Sequence, residues 1–197
     1  MKLWEYKDYD EYVDIQVKYN KKKVGKWVFV SEFVIREIAI WHKKFSTQQP
    51  NNILCHGTRS GEEQRYFKKH FKDVWVLGTE ISDNATNFPM TIQQDFNKVN
   101  ESLIGKHDII YSNSFDHSYA PKETLTVWKD QLNESGIMYI DWGIHQNNLG
   151  VCESDPLNAT PEEIEKLAAD VGLSHKENIR YHEHHQLMVF GRKENTK

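Results

Sequence analysis

Cysteine is scarce in this chain of 197 residues: only Cys55 and Cys152 are present. Two cysteines build no disulfide framework, and the expectation is a protein of a reducing compartment, the cytoplasm. Long apolar runs are missing, which argues against a bilayer span, and the stretch from Met1 to Tyr6 is too polar and acidic for a signal peptide. Excess positive charge is missing too. At a net charge of -4, no long-range attraction draws nucleic acid or an anionic membrane, so neither partner is expected. The one dense basic run, Lys21 to Lys23, reads as a solvated helix end. With 5 prolines, no repeat and no Gly/Ser linker, the chain reads as one folded unit. Within it, residues 1–50 form a helical extension packed on a core of 51–197.

What the sequence does contain is alternation. "SEFVIREIAIWHKKF" puts Val34, Ile38, Trp41 and Phe45 on one helical stripe. After Pro50, the segments Ile53–His56, Val74–Leu77, Met90–Phe96, His107–Asn113 and Gly136–Trp142 read as strands. Ser60 with Glu63 forms a capping-box pattern that starts a helix after Gly61. Leu125, Trp128 and Leu132 mark a second helix. Thr160-Pro161-Glu162-Glu163 opens a third, which Gly172 stops. Two final strands near 175–181 and 186–192 pair as a hairpin. This order predicts an α/β three-layer sandwich, a mostly parallel sheet with helices on both faces, preceded by N-terminal helices, and the terminal pair suggests an antiparallel strand at the end.

In such folds ligands bind beyond the carboxyl ends of the strands. "ILCHGTRSGEE", at the end of the first core strand, holds Gly57 and Gly61 but lacks what two nucleotide loops require. No lysine follows Gly61, which excludes a Walker loop. Arg59 and Glu62 stand where a dinucleotide fingerprint needs glycines, leaving a nicotinamide oxidoreductase as a weaker alternative. S-adenosylmethionine has no diphosphate and asks only for a loop passing close to its methionyl end. That ligand also asks for an acidic group for the ribose hydroxyls after the second strand, where Glu80 stands. Beyond the third strand, Asp95 faces the adenine amino group and Phe96 offers a ring to stack.

With those residues in place, "GTRSGEE…VLGTEIS…QQDF…DIIYSNSFDHSY" resembles the class I, Rossmann-like S-adenosylmethionine-dependent methyltransferases, over about residues 53–192. It is similar in particular to small methyltransferase-like proteins of phages and bacteria. The resemblance implies a mostly parallel seven-stranded sheet with its last strand antiparallel, and S-adenosyl-L-methionine as cofactor. The implied binding set is His56, Gly57, Thr58, Arg59, Gly61, Glu80, Ile81, Asp95, Phe96, Asn113 and Ser114. Two positions depart from the family pattern: its first-motif acidic residue falls at Cys55, and its middle glycine at Arg59. Arg59 is expected to bind the methionyl carboxylate or to be held by Glu62 or Glu63. A non-catalytic binder of the same fold therefore stays open beside an active transferase.

Methyl transfer needs a positioned acceptor and, for a protic one, a base. Asp116, His117 and His145 are the candidate catalytic residues, with Asp141 and Trp142 as neighbours on the pocket wall. The Asn/Asp-Pro-Pro-aromatic signature of amino-methylating nucleic-acid enzymes is missing after the fourth strand, so the expected acceptor is a small molecule or a saccharide. "YHEHHQ" concentrates His182, His184 and His185. It reads as a polar hairpin tip, and no metal ligand is assigned to it. The N-terminal extension is expected to cover the acceptor pocket.

Overall fold

The computed structural model describes residues 1–144 and 150–193. Before the sheet come a short strand, β1 (Lys2–Leu3), and two helices, α1 (Tyr9–Lys23) and α2 (Glu32–Phe45). Alternation follows: β2 (Asn52–His56), α3 (Glu62–His70), β3 (Trp75–Glu80), β4 (Thr91–Gln93), β5 (His107–Ser112), α4 (Pro121–Gln131) and β6 (Leu132–Gly143). The chain ends through β7 (Leu157–Asn158), α5 (Pro161–Asp170), β8 (Leu173–Arg180) and β9 (His185–Arg192). β1 and β7 pair as a separate antiparallel ribbon.

The seven-stranded sheet runs β4-β3-β2-β5-β6-β9-β8. β9, the last strand in sequence, is the antiparallel one, inserted between β6 and β8. Strand parity divides the core. Leu54, Ile110, Met138, Ile140, Met188 and Phe190 face one side, against Leu125 and Trp128 of α4 and Ile164 of α5. Ile53, Ile109, Tyr111, Ile137, Leu187 and Val189 face the other, against Val34, Ile35 and Ile38 of α2 and Phe67 of α3. Both faces of the central strands are buried, which is why those strands read as continuous apolar runs rather than alternating ones.

Helix starts follow local side-chain chemistry at α1, α2 and α5. Thr160 caps α5 with the reciprocal Glu163 contact, and Pro161 sits in its first turn. Ser31 caps α2 and Asp8 caps α1. The Ser60–Glu63 box is not formed. α3 starts at Glu62 with Gly61 as its cap at φ +81° and no side-chain cap, because the Gly61 N–H closes a tight turn onto Thr58 O at 3.0 Å. Glu63 turns inward and is buried. Leu132 also departs from expectation: α4 ends at Gln131, and Leu132 opens β6 paired to His107 ahead of a bulge.

α1 is unusual in what it buries. Tyr12, Gln16 and Asn20, spaced four apart, form its inner stripe. It lies over the carboxyl ends of the strands by polar contacts, while α2 packs its apolar stripe on the sheet.

Candidate functional site

β2 sits between β3 and β5, and the chain turns outward from it in both directions. The crevice at that switch point is where an open α/β sheet receives a ligand. Gly57, directly after β2, takes φ +72° and folds over β3, its N–H donating to Thr79 O at 2.9 Å. Across the crevice, after β5, Ser114 Oγ donates to Gly57 O at 3.2 Å. A Cβ on Gly57 would lie 2.6 Å from the Ser114 Cβ, so only glycine lets the two loops meet. Arg59 follows in the left-handed region at φ +47°, unusual for a side chain of that size.

Two hollows open from this crevice. The larger, about 410 Å³, is walled by Gly57, Thr58, Arg59, Glu63, Asn113, Ser114, Asp116 and His117 from the strand ends. Trp27 to Ser31 between α1 and α2 enclose it, together with Asp141, Asp155, Tyr181, His182 and His185. The smaller, about 40 Å³, lies between α1 and the loops after β3 and β4. Glu80, Ile81, Asp95 and Phe96 line it below, and Tyr12, Gln16 and Asn20 above. It has room for a few waters.

Glu80 is 5% exposed, and its two carboxylate oxygens accept from Arg59 N at 2.9 Å and Ser82 N at 3.1 Å. Burial pushes its carboxyl upward, and those two backbone N–H groups with the Arg59 charge oppose the rise. Each oxygen keeps a lone pair for a further donor, such as a ribose hydroxyl. Asp95 is more committed. Oδ1 accepts from the backbone and side chain of Asn97, at 2.8 and 2.7 Å, and Oδ2 from the Tyr9 hydroxyl at 2.9 Å. Phe96 lies mostly in the core, edge-on to His56 and Trp128, which limits the ring area left for stacking.

His56 does not reach the crevice. Its ring stacks on Trp128 at 4.7 Å and bonds Thr79 Oγ1 and Gln131 Oε1, and burial pushes its imidazole down to about 3. It is a neutral core residue, a correction to its placement in the cofactor set. Thr58 is buried on the main wall, its hydroxyl accepting from Gln64 Nε2. Gly61 supports the turn from below, where a Cβ would press to 3.3 Å of Pro89 O. Arg59 is held by neither Glu62 nor Glu63. Its Nη1 donates to Trp27 O at 3.2 Å, its guanidinium lies over the Phe29 ring, and Glu62 pairs with Arg65 instead.

At the far end, His117 Nδ1 is 2.7 Å from Ser154 O and 3.0 Å from Gln16 Oε1. Both partners are acceptors, so Nδ1 carries the proton and Nε2 is the basic nitrogen, 3.8 Å from Asp155 Oδ1. Burial pushes the Asp116 carboxyl upward, with the Asp155 charge adding to it and His117 opposing. Burial acts upward on Asp155 as well, but His117, Ser154 and Cys152 together hold it below the usual carboxylate range. Among the described residues, the donor atoms that converge are those of Asp116, His117 and Asp155, all within 4.8 Å of one another, rather than those of the hairpin histidines. His182 and His185 do line the large hollow, and Asp141 raises His185 through a hydrogen bond. Asp141 also accepts from Tyr181 at 2.6 Å, whereas Trp142 is buried in the core. His145 lies outside the described residues.

Glu63, Asp155, Trp27 and Phe29 complete this site without having been singled out as its members. Nothing local in the sequence marks Asp155, which meets His117 only through the loop before β7.

No protein-family model matches the chain, and no curated protein matches its sequence. Solved structures do match its fold. A 1,6-didemethyltoxoflavin-N1-methyltransferase from Burkholderia thailandensis, with bound 1,6-didemethyltoxoflavin and S-adenosylhomocysteine, aligns at TM-score 0.75 and 13% identity, over 97% of this chain and 93% of that one. An S-adenosylmethionine-dependent methyltransferase from Clostridium acetobutylicum aligns at 0.66 and 11%, over 94% and 99%. The sugar N-methyltransferase KedS8 from a Streptoalloteichus species aligns at 0.63 and 14%, over 90% and 92%. The strand order, the reversed β9 and these alignments agree: this chain has the fold of the class I S-adenosylmethionine-dependent methyltransferases.

Proposed function

We propose that the protein transfers a methyl group from S-adenosylmethionine to a small-molecule acceptor, a saccharide among the candidates. The observation that carries this reading is Glu80, a buried carboxylate held by two backbone N–H groups beside the Gly57 turn, on a crevice that widens into a hollow ending at His117. Structural neighbours in small-molecule and sugar methylation support the choice of acceptor class.

The residues fit the cofactor in parts. Glu80 and Ile81 would hold the ribose, and the Gly57–Gly61 turn with Asn113 and Ser114 the methionyl end. Asp95 would hold the adenine once the Tyr9 hydroxyl gives way, since the hollow there is too small for a base as it stands. When bound, the cofactor supplies a methyl on a positively charged sulfur. His117 Nε2 then takes the acceptor proton, with Ser154 O fixing the tautomer. Trp27, Phe29 and Tyr181 give the acceptor an apolar, aromatic surround. In this reading residues 1–50 are an extension to a methyltransferase domain of 51–197, and α1 with its following loop closes over both ligands.

Calorimetry with S-adenosylhomocysteine tests the cofactor. The parent binds, and Glu80→Ala loses at least about tenfold in affinity, the worth of a hydrogen bond to a charged group. Equal binding by parent and variant rejects the assignment. Transfer of labelled methyl to an acceptor in a cell extract separates an enzyme from a non-catalytic binder of the same fold.

A further inference from the structure

Among the described residues, two buried side-chain polar atoms without a hydrogen-bond partner belong to charged groups on the wall of the large hollow: Arg59 Nε and Glu63 Oε2. Unpartnered charge in a buried site is costly and persists where something else satisfies it. Burial pushes the Glu63 carboxyl up and the Arg59 guanidinium down; each group's charge opposes the other's shift, and Glu80 acts on Arg59 in the same sense. No ion pair joins them among the described contacts. Arg59 is fixed in a left-handed backbone and drawn outward by Trp27 O and Phe29. Glu63, released from capping by the Gly61 turn, is 5% exposed at the start of α3. The wall therefore presents a guanidinium and a carboxyl group with no ion pair between them, each with an unsatisfied inner atom. The ligand chemistry that satisfies both is a zwitterion with an ammonium and a carboxylate on one carbon, an α-amino acid.

We propose that Glu63 and Arg59 receive the amino-acid end of the cofactor, the Glu63 carboxylate accepting from its ammonium and Arg59 Nε donating to its carboxylate. This rests on the cofactor reading above and adds a residue, Glu63, that the resemblance did not supply. Cys55, at the position where that resemblance puts an acidic group, is fully buried among apolar neighbours and unable to take this part. Glu63 brings a carboxylate to the same region from the following helix, close enough to push the Cys55 thiol further upward.

The test compares two nucleosides by calorimetry: S-adenosylhomocysteine, and 5′-methylthioadenosine, which keeps the adenosine and thioether but lacks the amino-acid group. Glu63→Gln should weaken S-adenosylhomocysteine by about 10- to 100-fold. Methylthioadenosine should change by less than about twofold. Arg59→Asn, chosen because asparagine tolerates the left-handed backbone, should show the same selective loss. At pH 7 the parent should release a proton on binding S-adenosylhomocysteine, because Glu63 sits at about 8 in the free protein and must ionise; Glu63→Gln should abolish that release. Unchanged S-adenosylhomocysteine affinity in Glu63→Gln, or equal loss of both nucleosides, overturns the proposal while leaving the cofactor reading in place. A parent that binds neither nucleoside overturns the cofactor reading and this proposal with it.

Discussion

The Tyr9 hydroxyl donates to Asp95 Oδ2 at 2.9 Å, joining the first turn of α1 to the loop after β4. Beside it the Tyr12 hydroxyl accepts from Asn97, and Tyr9, Tyr12 and Tyr119 pack their rings together. The helix that precedes the sheet thus occupies the carboxylate oxygen proposed above to receive the adenine amino group. If the base binds there, it must break this contact. Tyr9→Phe removes the competing donor and should tighten S-adenosylhomocysteine binding by about 2- to 10-fold, the net worth of one hydrogen bond. Titration of parent and variant under one buffer decides it; a weaker Tyr9→Phe would place the adenine elsewhere.

His117 offers a sharper separation of binding from chemistry. Replacing it with asparagine keeps an N–H to donate to Ser154 O and removes only the basic Nε2. Methyl transfer to a protic acceptor should then fall by about 10²- to 10⁴-fold. Affinity for S-adenosylhomocysteine should stay within about twofold. A variant that keeps full transfer would assign the base elsewhere, or show an acceptor that needs none.

The placement of elements was legible in the sequence where the signal is local. Thr160, Pro161 and Glu163 cap α5 with contacts inside four residues, and Glu80 and Asp95 follow apolar runs that end at their strands. That legibility ended where the deciding contact is distant. Ser60 and Glu63 have the spacing of a capping box, but Gly61 takes the cap and Glu63 answers to the hollow instead. His56 follows its strand into the loop, yet its ring turns back onto Trp128, far along the chain. The inner stripe of α1 has helical spacing but is Tyr12, Gln16 and Asn20, so a search for apolar periodicity passes over it. Asp155 reaches His117 only because β7 pairs with β1 and draws that loop across.

Buried groups set opposing pH slopes. Burial holds His42, His56 and His107 below the ordinary imidazole value, so below pH about 6.5 the unfolded chain binds protons that the folded one refuses. The stability these groups contribute is present above that pH and is lost as pH falls, for His56 toward about 3. Burial raises Glu63 from its ordinary range to about 8, so the folded chain holds that proton longer and loses stability as pH rises toward about 8. Urea unfolding of the free protein should therefore show a decline toward pH about 8 that Glu63→Gln flattens; the Glu63 slope begins near the ordinary carboxylate value of about 4.3, so the variant should also steepen the histidine limb below pH about 6.5. An unchanged alkaline limb in that variant would mean that Glu63 is ionised in the free protein.

Gly57 and Ser114 meet too closely to admit a further Cβ, which makes a quantitative prediction about how the site is held together. An alanine at 57 faces two separate penalties. A left-handed φ of +72° costs a β-carbon residue about 1–2 kcal/mol. Overlap with the Ser114 Cβ, 2.6 Å away, adds about 1–3 kcal/mol of overpacking. Only the second depends on residue 114. Gly57→Ala should therefore destabilise by the sum, and Ser114→Gly in the same chain should recover the overpacking part and leave the backbone part. A double-mutant cycle by urea unfolding reads the difference directly, with an expected coupling of about 1–3 kcal/mol. Ser114→Gly alone also deletes the hydroxyl that donates to Gly57 O, so its own destabilisation must be subtracted before the coupling is taken. Strict additivity would mean that the two loops part when a side chain is added, and that the crevice is compliant where the cofactor's methionyl end is proposed to lie.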